Sequence, residues 1–294
     1  MINEEIIAKR ITPKNDIIFK KIFGSKGNEG ILKDFLESIL ETKIESVKLG
    51  LETEMLPEFY IGKGSRLDVR TELKDGTFVN VEIQTNTENY SDKRDLVYWS
   101  KLYLKSLEKG SNYTETRKTI CIWIVDGAVY DFEKYHSKWE ITETDIGKTM
   151  CFKDFEIHVI ELQKFRKLDI MKPAKKEFWL WFIDHTRKEL VDMACYSNEQ
   201  VDEARRQLAK ITADGDLMTL IIADEMDEMD RSVLKQKEEE RLKKAEEEAL
   251  QKGKIEGKAE ANKETAKKLL EKNIEIELIM ELTGLSKEEI EKLK

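Results

Sequence analysis

Apolar residues recur along the chain with two periods, that of a helix and that of a strand. The amino-terminal part shows both periods, whereas the carboxy-terminal part shows only the helical one. Apolar residues recur at helical spacing over residues 15–24 and 28–41, where Asn15 and Asn28 can act as caps. Alternation with a period of two then predicts strands. Residues 118–125 are apolar at both odd and even positions, which is typical of a strand buried on both faces. Residues 46–60 are predicted as a loose extended stretch. The predicted strands cover residues 66–73, 77–84, 118–125, 138–145 and 155–162, with a helix at 91–109.

Beyond residue 174 the spacing is helical throughout. It predicts helices near 175–192, 198–211 and 215–230, one long charged helix from 230 to 272, and two short helices in 273–294. The long helix has few apolar residues, which favours a solvated helix with charge pairs over a coiled coil. The predicted regions are a core over 1–172, a helical extension over 173–230, a charged helix over 231–272 and a small helical tail over 273–294.

The charge distribution narrows the functional class. The chain has a net charge of −9 with 38% charged residues, and residues 235–272 hold 12 Lys or Arg and 10 Glu. No region is strongly basic, so a nucleic-acid site has to be a local patch. No secretory signal and no membrane-length apolar run is recognised, and three scattered cysteines fit reduced thiols; we therefore expect a cytoplasmic protein that does not enter a membrane.

The tail around Thr283 and Gly284 has the spacing of a helix–turn–helix. Ser286 and Glu289 fit a capping box at the start of its last helix. Residues 273–294 contain six Glu and three basic residues, which argues against DNA binding by this tail.

The hairpin formed by residues 66–84 carries the candidate chemistry. A two-residue turn would set polar residues opposite apolar ones, whereas a three-residue turn ending at Gly76 matches the two faces. Residue numbers across the hairpin then sum to 150, and Asp68 lies opposite Glu82. Arg66 and Arg70 can neutralise these two carboxylates on a solvated sheet face. Alternatively, the carboxylates hold a divalent cation such as Mg²⁺.

The order of motifs resembles the recombination-promoting nucleases of the Rpn family, which are transposases of the PD-(D/E)XK nuclease superfamily. The resemblance rests on four pieces of sequence that follow one another in the same order. They are the opening helix Lys14–Phe23, the strand Arg66-Leu67-Asp68, the strand Val81-Glu82-Ile83-Gln84, and Arg94 with Tyr98 on the next helix.

The resemblance implies an α/β fold, with a mixed central sheet and flanking helices followed by an all-helical extension. It implies a metal-dependent endodeoxyribonuclease acting in DNA recombination, with Mg²⁺ or Mn²⁺ as cofactor and DNA as partner. By position, Asp68 and Glu82 are the metal ligands and the carbonyl of Ile83 adds a further one. Gln84 stands where the superfamily usually has Lys, which puts catalysis in doubt unless another cation replaces it.

Arg94 is the candidate replacement, since it shares a helix face with Tyr98 and two lysines; the alternative is a solvated helix face. Asp16 either approaches the metal or belongs to the first turn of its helix, where the macrodipole favours a carboxylate.

The remaining candidates are basic residues that either contact DNA or are simply solvated: Lys14, Lys20, Lys21 and Arg66. Two functions are therefore in competition. The first is the endonuclease. The second is a nuclease-fold protein with little or no activity that binds DNA or protein and self-associates through its carboxy-terminal helices.

Overall fold

The structure is a computed structural model. It describes residues 11–49, 69–85, 87, 90–105, 107, 112–147 and 151–293. The chain separates into two units, Met1–Glu225 and Met226–Lys294.

The first unit contains one mixed sheet and a set of helices. Its strands are β1 (Val47–Lys48), β2 (Val69–Leu73), β3 (Phe78–Gln84), β4 (Thr119–Val125), β5 (His136–Trp139) and β6 (Phe155–Glu161). Its helices are α1 (Asp16–Gly24), α2 (Glu29–Leu40), α3 (Asp92–Lys105), α4 (Leu162–Phe165), α5 (Lys175–Asp184), α6 (Lys188–Ser197) and α7 (Glu199–Ala213). Helix α8 (Gly215–Glu271) has residues in both units.

Among the described residues the strand order is β1-β2-β3-β4-β6-β5. Strands β3, β4 and β6 are parallel, and the remaining neighbours are antiparallel. Parallel neighbours need a crossover, and α3 supplies it between β3 and β4. This mixed α/β sheet confirms the predicted fold class.

The hairpin register follows the prediction. Val69 pairs with Val81 and Thr71 with Val79, so residue numbers sum to 150. Gly76 has a φ of +86°, the left-handed conformation that the last position of a three-residue loop requires.

Helix α1 begins as predicted, because the Asn15 side chain accepts hydrogen bonds from the backbone N–H groups of Ile17 and Ile18. Asn28 does not cap α2 in this way. Its side-chain amide instead donates to the carbonyls of Lys21 and Ile22, at 3.2 and 2.8 Å, and so ties the start of α2 to the end of α1.

Four predicted elements differ from the structure. The strand expected at 138–145 ends at Trp139, because the Glu143 carboxylate accepts the backbone N–H groups of Asp145 and Ile146 and folds that segment into a turn. The helix expected at 175–192 is broken at His185, which takes a left-handed conformation with φ of +54°. The two helices expected over 215–272 are the single helix α8.

The second unit has a small core of its own. Ala266, Ile279 and Ile290 are buried in it, between the end of α8 and the short helices α9 (Ile276–Thr283) and α10 (Lys287–Glu291). Gly284 provides the left-handed residue between α9 and α10. Ser286 and Glu289 form the predicted capping box at the start of α10.

Across the described residues, every helix is either too short or too polar to span a bilayer.

Candidate active site

Strand β3 presents two chemically different faces. Its odd-numbered residues Val79 and Val81 are buried in the apolar core with α1 and α2. Its even-numbered residues point to the opposite face, where α3 packs and where Trp123 lies beside Glu82 in the parallel register. The sheet alternation therefore lines one face of β3 with Asn80, Glu82 and Gln84.

Glu82 is buried, with only 6% of its surface exposed, and Asn80 is 3% exposed. The Asn80 amide donates to Glu82 Oε1 at 3.2 Å, while Arg70 Nε donates to Asn80 Oδ1 at 3.4 Å. A solvated sheet face was one of the two readings of this carboxylate, and the burial of Glu82 contradicts it. Burying a charged carboxylate is costly unless polar partners or a cation stabilise it.

The face of α3 that carries Arg94 and Tyr98 packs against the polar residues of β3. Arg94 Nη1 donates to Gln84 Oε1 at 3.3 Å, and Nη2 reaches the Tyr98 hydroxyl at 3.5 Å. The guanidinium also lies over the rings of Tyr98 and Trp123, 5.2 and 5.8 Å from their centroids. Arg94 is thus held beside Gln84 by hydrogen bonds and by cation–π contacts. The alternative of a purely solvated face does not apply to Arg94.

The predicted partner of Glu82 lies outside the described residues. Asp68 and Arg66 precede Val69, where the description of β2 begins. Within the described ranges, no group of three or more His, Cys, Asp or Glu side chains is arranged to hold a metal ion. The metal-ligand assignments of Asp68, Glu82 and Ile83 therefore stay predictions. Ile83 itself follows Glu82 in β3 and pairs with Ile124.

Lys14, a predicted DNA contact, has an ionic environment inside the protein. Its amine donates to Asp126 Oδ2 at 2.8 Å and lies 3.8 Å from Asp184. Arg166 bonds both carboxylates. Burial alone would raise the pKa of Asp126, but Lys14 and Arg166 outweigh it and the pKa is lowered. Lys14 is only 15% exposed, and its role as a DNA contact stays a prediction.

Helix α1 carries the other predicted residues. Asp16 is in the first turn of α1, where a carboxylate suits the helix macrodipole. Lys20 and Lys21 are exposed. Because α1 packs on the face of the sheet opposite to α3, the structure does not bring these two lysines together with Glu82.

A cluster that sequence reasoning missed lies at the start of α3. The Tyr90 hydroxyl donates to Asp95 Oδ2 at 2.6 Å and is 2.9 Å from the Tyr130 hydroxyl. Asp95 is 3% exposed, and burial raises its pKa to about 7 against the opposing effects of Tyr90 and the nearby Arg94 charge. Tyr130 is 35 residues beyond Asp95 in the sequence, so no local pattern indicates this contact.

The chain has a mixed α/β sheet with helices on both faces, and its strand β3 carries the buried carboxylate Glu82. Residues 13–238 match the family described as PD-(D/E)XK nuclease family transposase. The chain belongs to this family, which confirms the resemblance found from the sequence.

The carboxy-terminal residues 259–294 match a second description, the C-terminal helix–turn–helix domain of the Rpn/YhgA-like nuclease family. This match starts inside α8 and includes α9 and α10, so the last turns of the long helix belong to the domain. The helix–turn–helix that the spacing allowed is therefore present, although the charge of the tail argued against a role in DNA binding. The comparisons with curated proteins and with solved structures gave no match.

Proposed function

We propose that this protein is a metal-dependent endonuclease that hydrolyses phosphodiester bonds in DNA during recombination or transposition. The observation that carries the proposal is Glu82, a buried carboxylate on the polar face of β3, next to Gln84 and Arg94. Nuclease family membership over residues 13–238 supports it. A buried carboxylate needs polar or cationic partners, and the proposed cation would be one of them.

The ligand atoms that the described residues offer are oxygens, the type that a hard divalent cation prefers. Glu82 supplies a carboxylate and Ile83 a main-chain carbonyl, and Mg²⁺ prefers such oxygen ligands. Asp68, which lies outside the described residues, is the proposed second carboxylate because the family resemblance gives it that role. When bound, the cation would lower the pKa of a water molecule and stabilise the charge that develops on the phosphate.

The protein's own residues have separate tasks in this proposal. Arg94 stabilises negative charge on the phosphate, as a preorganised cation does in other phosphoryl-transfer sites. Gln84 orients Arg94 or a water through its amide but carries no charge. Tyr98 holds the guanidinium in place. The positive charge that Gln84 does not provide is thus supplied by α3 instead of β3.

DNA is the proposed partner of both units. The helix–turn–helix domain provides a binding element apart from the site. Lys14, Lys20, Lys21 and Arg66 are the further proposed contacts of the first unit, and Asp16 the proposed accessory carboxylate.

The test is nicking of a supercoiled plasmid with Mg²⁺ or Mn²⁺ by the full chain. We expect Asp68→Asn and Glu82→Gln to lose cleavage. The control is Glu72→Gln on β2, whose carboxylate forms an exposed ion pair with Arg117; it should cleave like the wild type. Equal cleavage by all four proteins would refute the site.

A second function is favoured by Gln84, because the charged residue typical of the superfamily is absent from β3. In that case the nuclease fold would be a DNA- or protein-binding module with little activity. Calorimetric titration with Mn²⁺ separates the two functions. Binding that is lost in Glu82→Gln supports the nuclease, whereas no binding together with intact DNA affinity supports the module.

A further inference from the structure

A groove runs between α3 and the hairpin, on the same face of the sheet as Glu82. It is shallow and opens to solvent. Its lining residues are Arg70, Asn80, Tyr98, Lys101, Leu102 and Lys105. We call it the α3 groove.

The α3 groove is positively charged although the chain as a whole is acidic. Of the lining residues that the structure describes, three are cations and none is a carboxylate. Within the part of the chain that the structure describes, no ion pair joins Lys101 or Lys105 to an acidic residue. Desolvation and, to a smaller extent, the charge of Arg70 lower the pKa of Lys105, so Arg70 and Lys105 repel one another. A bound anion would relieve this repulsion.

The interior of the groove is apolar. Leu102 is 7% exposed, and the ring of Tyr98 is fixed by Arg94 on one side and has Lys101 Nζ 5.8 Å from its centroid. Lysine side chains line such surfaces with their aliphatic stems and keep their amines in water. An apolar interior with cations at its rim suits a ligand that alternates apolar and anionic groups.

The groove is continuous with the candidate active site. Asn80 lines the groove, and its amide is 3.2 Å from Glu82 Oε1. Tyr98 also lines it, and its hydroxyl contacts Arg94. A ligand in the groove is therefore separated from Glu82 and Arg94 by a single side chain on each side.

We propose that the α3 groove binds the sugar–phosphate backbone of the nucleic-acid strand that flanks the scissile phosphodiester. Arg70, Lys101 and Lys105 contact its phosphates, and Tyr98 and Leu102 contact the sugars. The identity of the ligand rests on the proposed function, but the binding itself does not require cleavage. The groove thus sets the path of the substrate strand along α3.

The test measures binding of the full chain to a fluorescein-labelled 20-base-pair DNA without divalent metal, over a range of salt concentrations. Each phosphate contact contributes about −0.9 to the slope of log affinity against log salt. We expect Lys101→Ala/Lys105→Ala to flatten this slope by about two. Lys101→Arg/Lys105→Arg keeps both charges and should keep the slope.

The matched control is Lys43→Ala/Lys153→Ala, which removes two exposed lysines outside α3 and the hairpin. It should leave the slope within the error of the wild type. If the groove variant keeps the wild-type slope, or if the control flattens it equally, the proposal is wrong. Circular dichroism establishes that all variants are folded.

Plasmid nicking, measured separately, distinguishes this proposal from the proposed function. A wild type that binds DNA through the groove lysines but does not cleave supports the groove and overturns the endonuclease. A wild type that cleaves, while the groove variant binds and cleaves equally well, overturns the groove alone. A wild type that does not bind the labelled DNA overturns the groove.

Discussion

The two faces of strand β3 bury different kinds of side chain. The face toward α1 and α2 is apolar along β3 and β4, where Val79, Val81, Ile120 and Ile122 are almost fully buried. The face toward α3 buries Asn80 and Glu82 at nearly the same depth. Burial therefore has opposite effects within β3. It is favourable for the apolar side chains on one face and costly for the polar and charged side chains on the other.

The difference separates the residues of β3 that stabilise the fold from those that belong to the candidate active site. Closely packed apolar side chains on one face fix the position of β3. The residues that alternate with them are then held rigidly toward α3, at the cost of desolvating a carboxylate. If this division is correct, substitutions on the two faces should change different measured quantities.

The largest expected effect is on the apolar face. Ile122→Ala removes a fully buried side chain opposite Val81 and should lower the free energy of unfolding by about 2–5 kcal/mol. Urea unfolding followed by tryptophan fluorescence measures it, since all five tryptophans are in the first unit. Ile122→Val is the graded control, at about 0.5–1.5 kcal/mol. If the Ile122→Ala protein keeps the wild-type stability but no longer cleaves DNA, the proposed division between a stabilising face and an active-site face is wrong.

The next effect is on the α3 face. Arg94→Lys keeps the charge but loses the planar group that bonds Gln84 and Tyr98 together. We expect plasmid cleavage to fall about 100-fold, the lower end of the loss when a site that stabilises developing charge loses one preorganised donor. The free energy of unfolding should change by no more than about 1 kcal/mol. Arg205→Lys, in an exposed ion pair on α7, is the matched control. A stability loss as large as that of Ile122→Ala would show that the two faces do not differ.

The hairpin shows how much a sequence can determine locally. The alternation of residues 66–84 and the single glycine at position 76 were enough to predict the turn, the register and the two faces of β3. These features depend on residues that are close in sequence. The resemblance likewise led to the correct family, because its motifs follow one another within about 90 residues.

The contacts that the sequence did not predict join distant residues. Lys14 meets Asp126 across 112 positions, and Asn15 bonds Glu225 across 210. The break at His185 also has no local signal, since the residue adopts a left-handed conformation without being glycine. Periodicity identifies the buried face of a helix, but it does not identify the element that covers it.

The buried carboxylate of Asp95 on α3 should make the stability of the protein depend on pH. Asp95 has a pKa near 7 in the folded protein, above its ordinary value, so the folded state binds this proton more tightly than the unfolded state. Its contribution to stability is therefore present at low pH and is lost as the pH rises from about 4 through 7. Asp95→Asn cannot ionise, so its stability relative to wild type should improve from pH 5 to pH 8. Urea unfolding at four pH values measures this difference, and parallel curves for the two proteins would contradict it.

The smallest expected effect concerns the basic residues of α1. Lys20 and Lys21 are exposed on the face of the sheet opposite to Glu82, so any phosphates they contact lie away from the site. Lys20→Ala/Lys21→Ala should flatten the salt dependence of DNA binding by less than about one, half the change expected for the α3 groove. Stability should stay within about 0.5 kcal/mol, as for most surface substitutions. A flattening equal to that of Lys101→Ala/Lys105→Ala would mean that DNA contacts both faces of the sheet alike, and the functional contrast between them would fail.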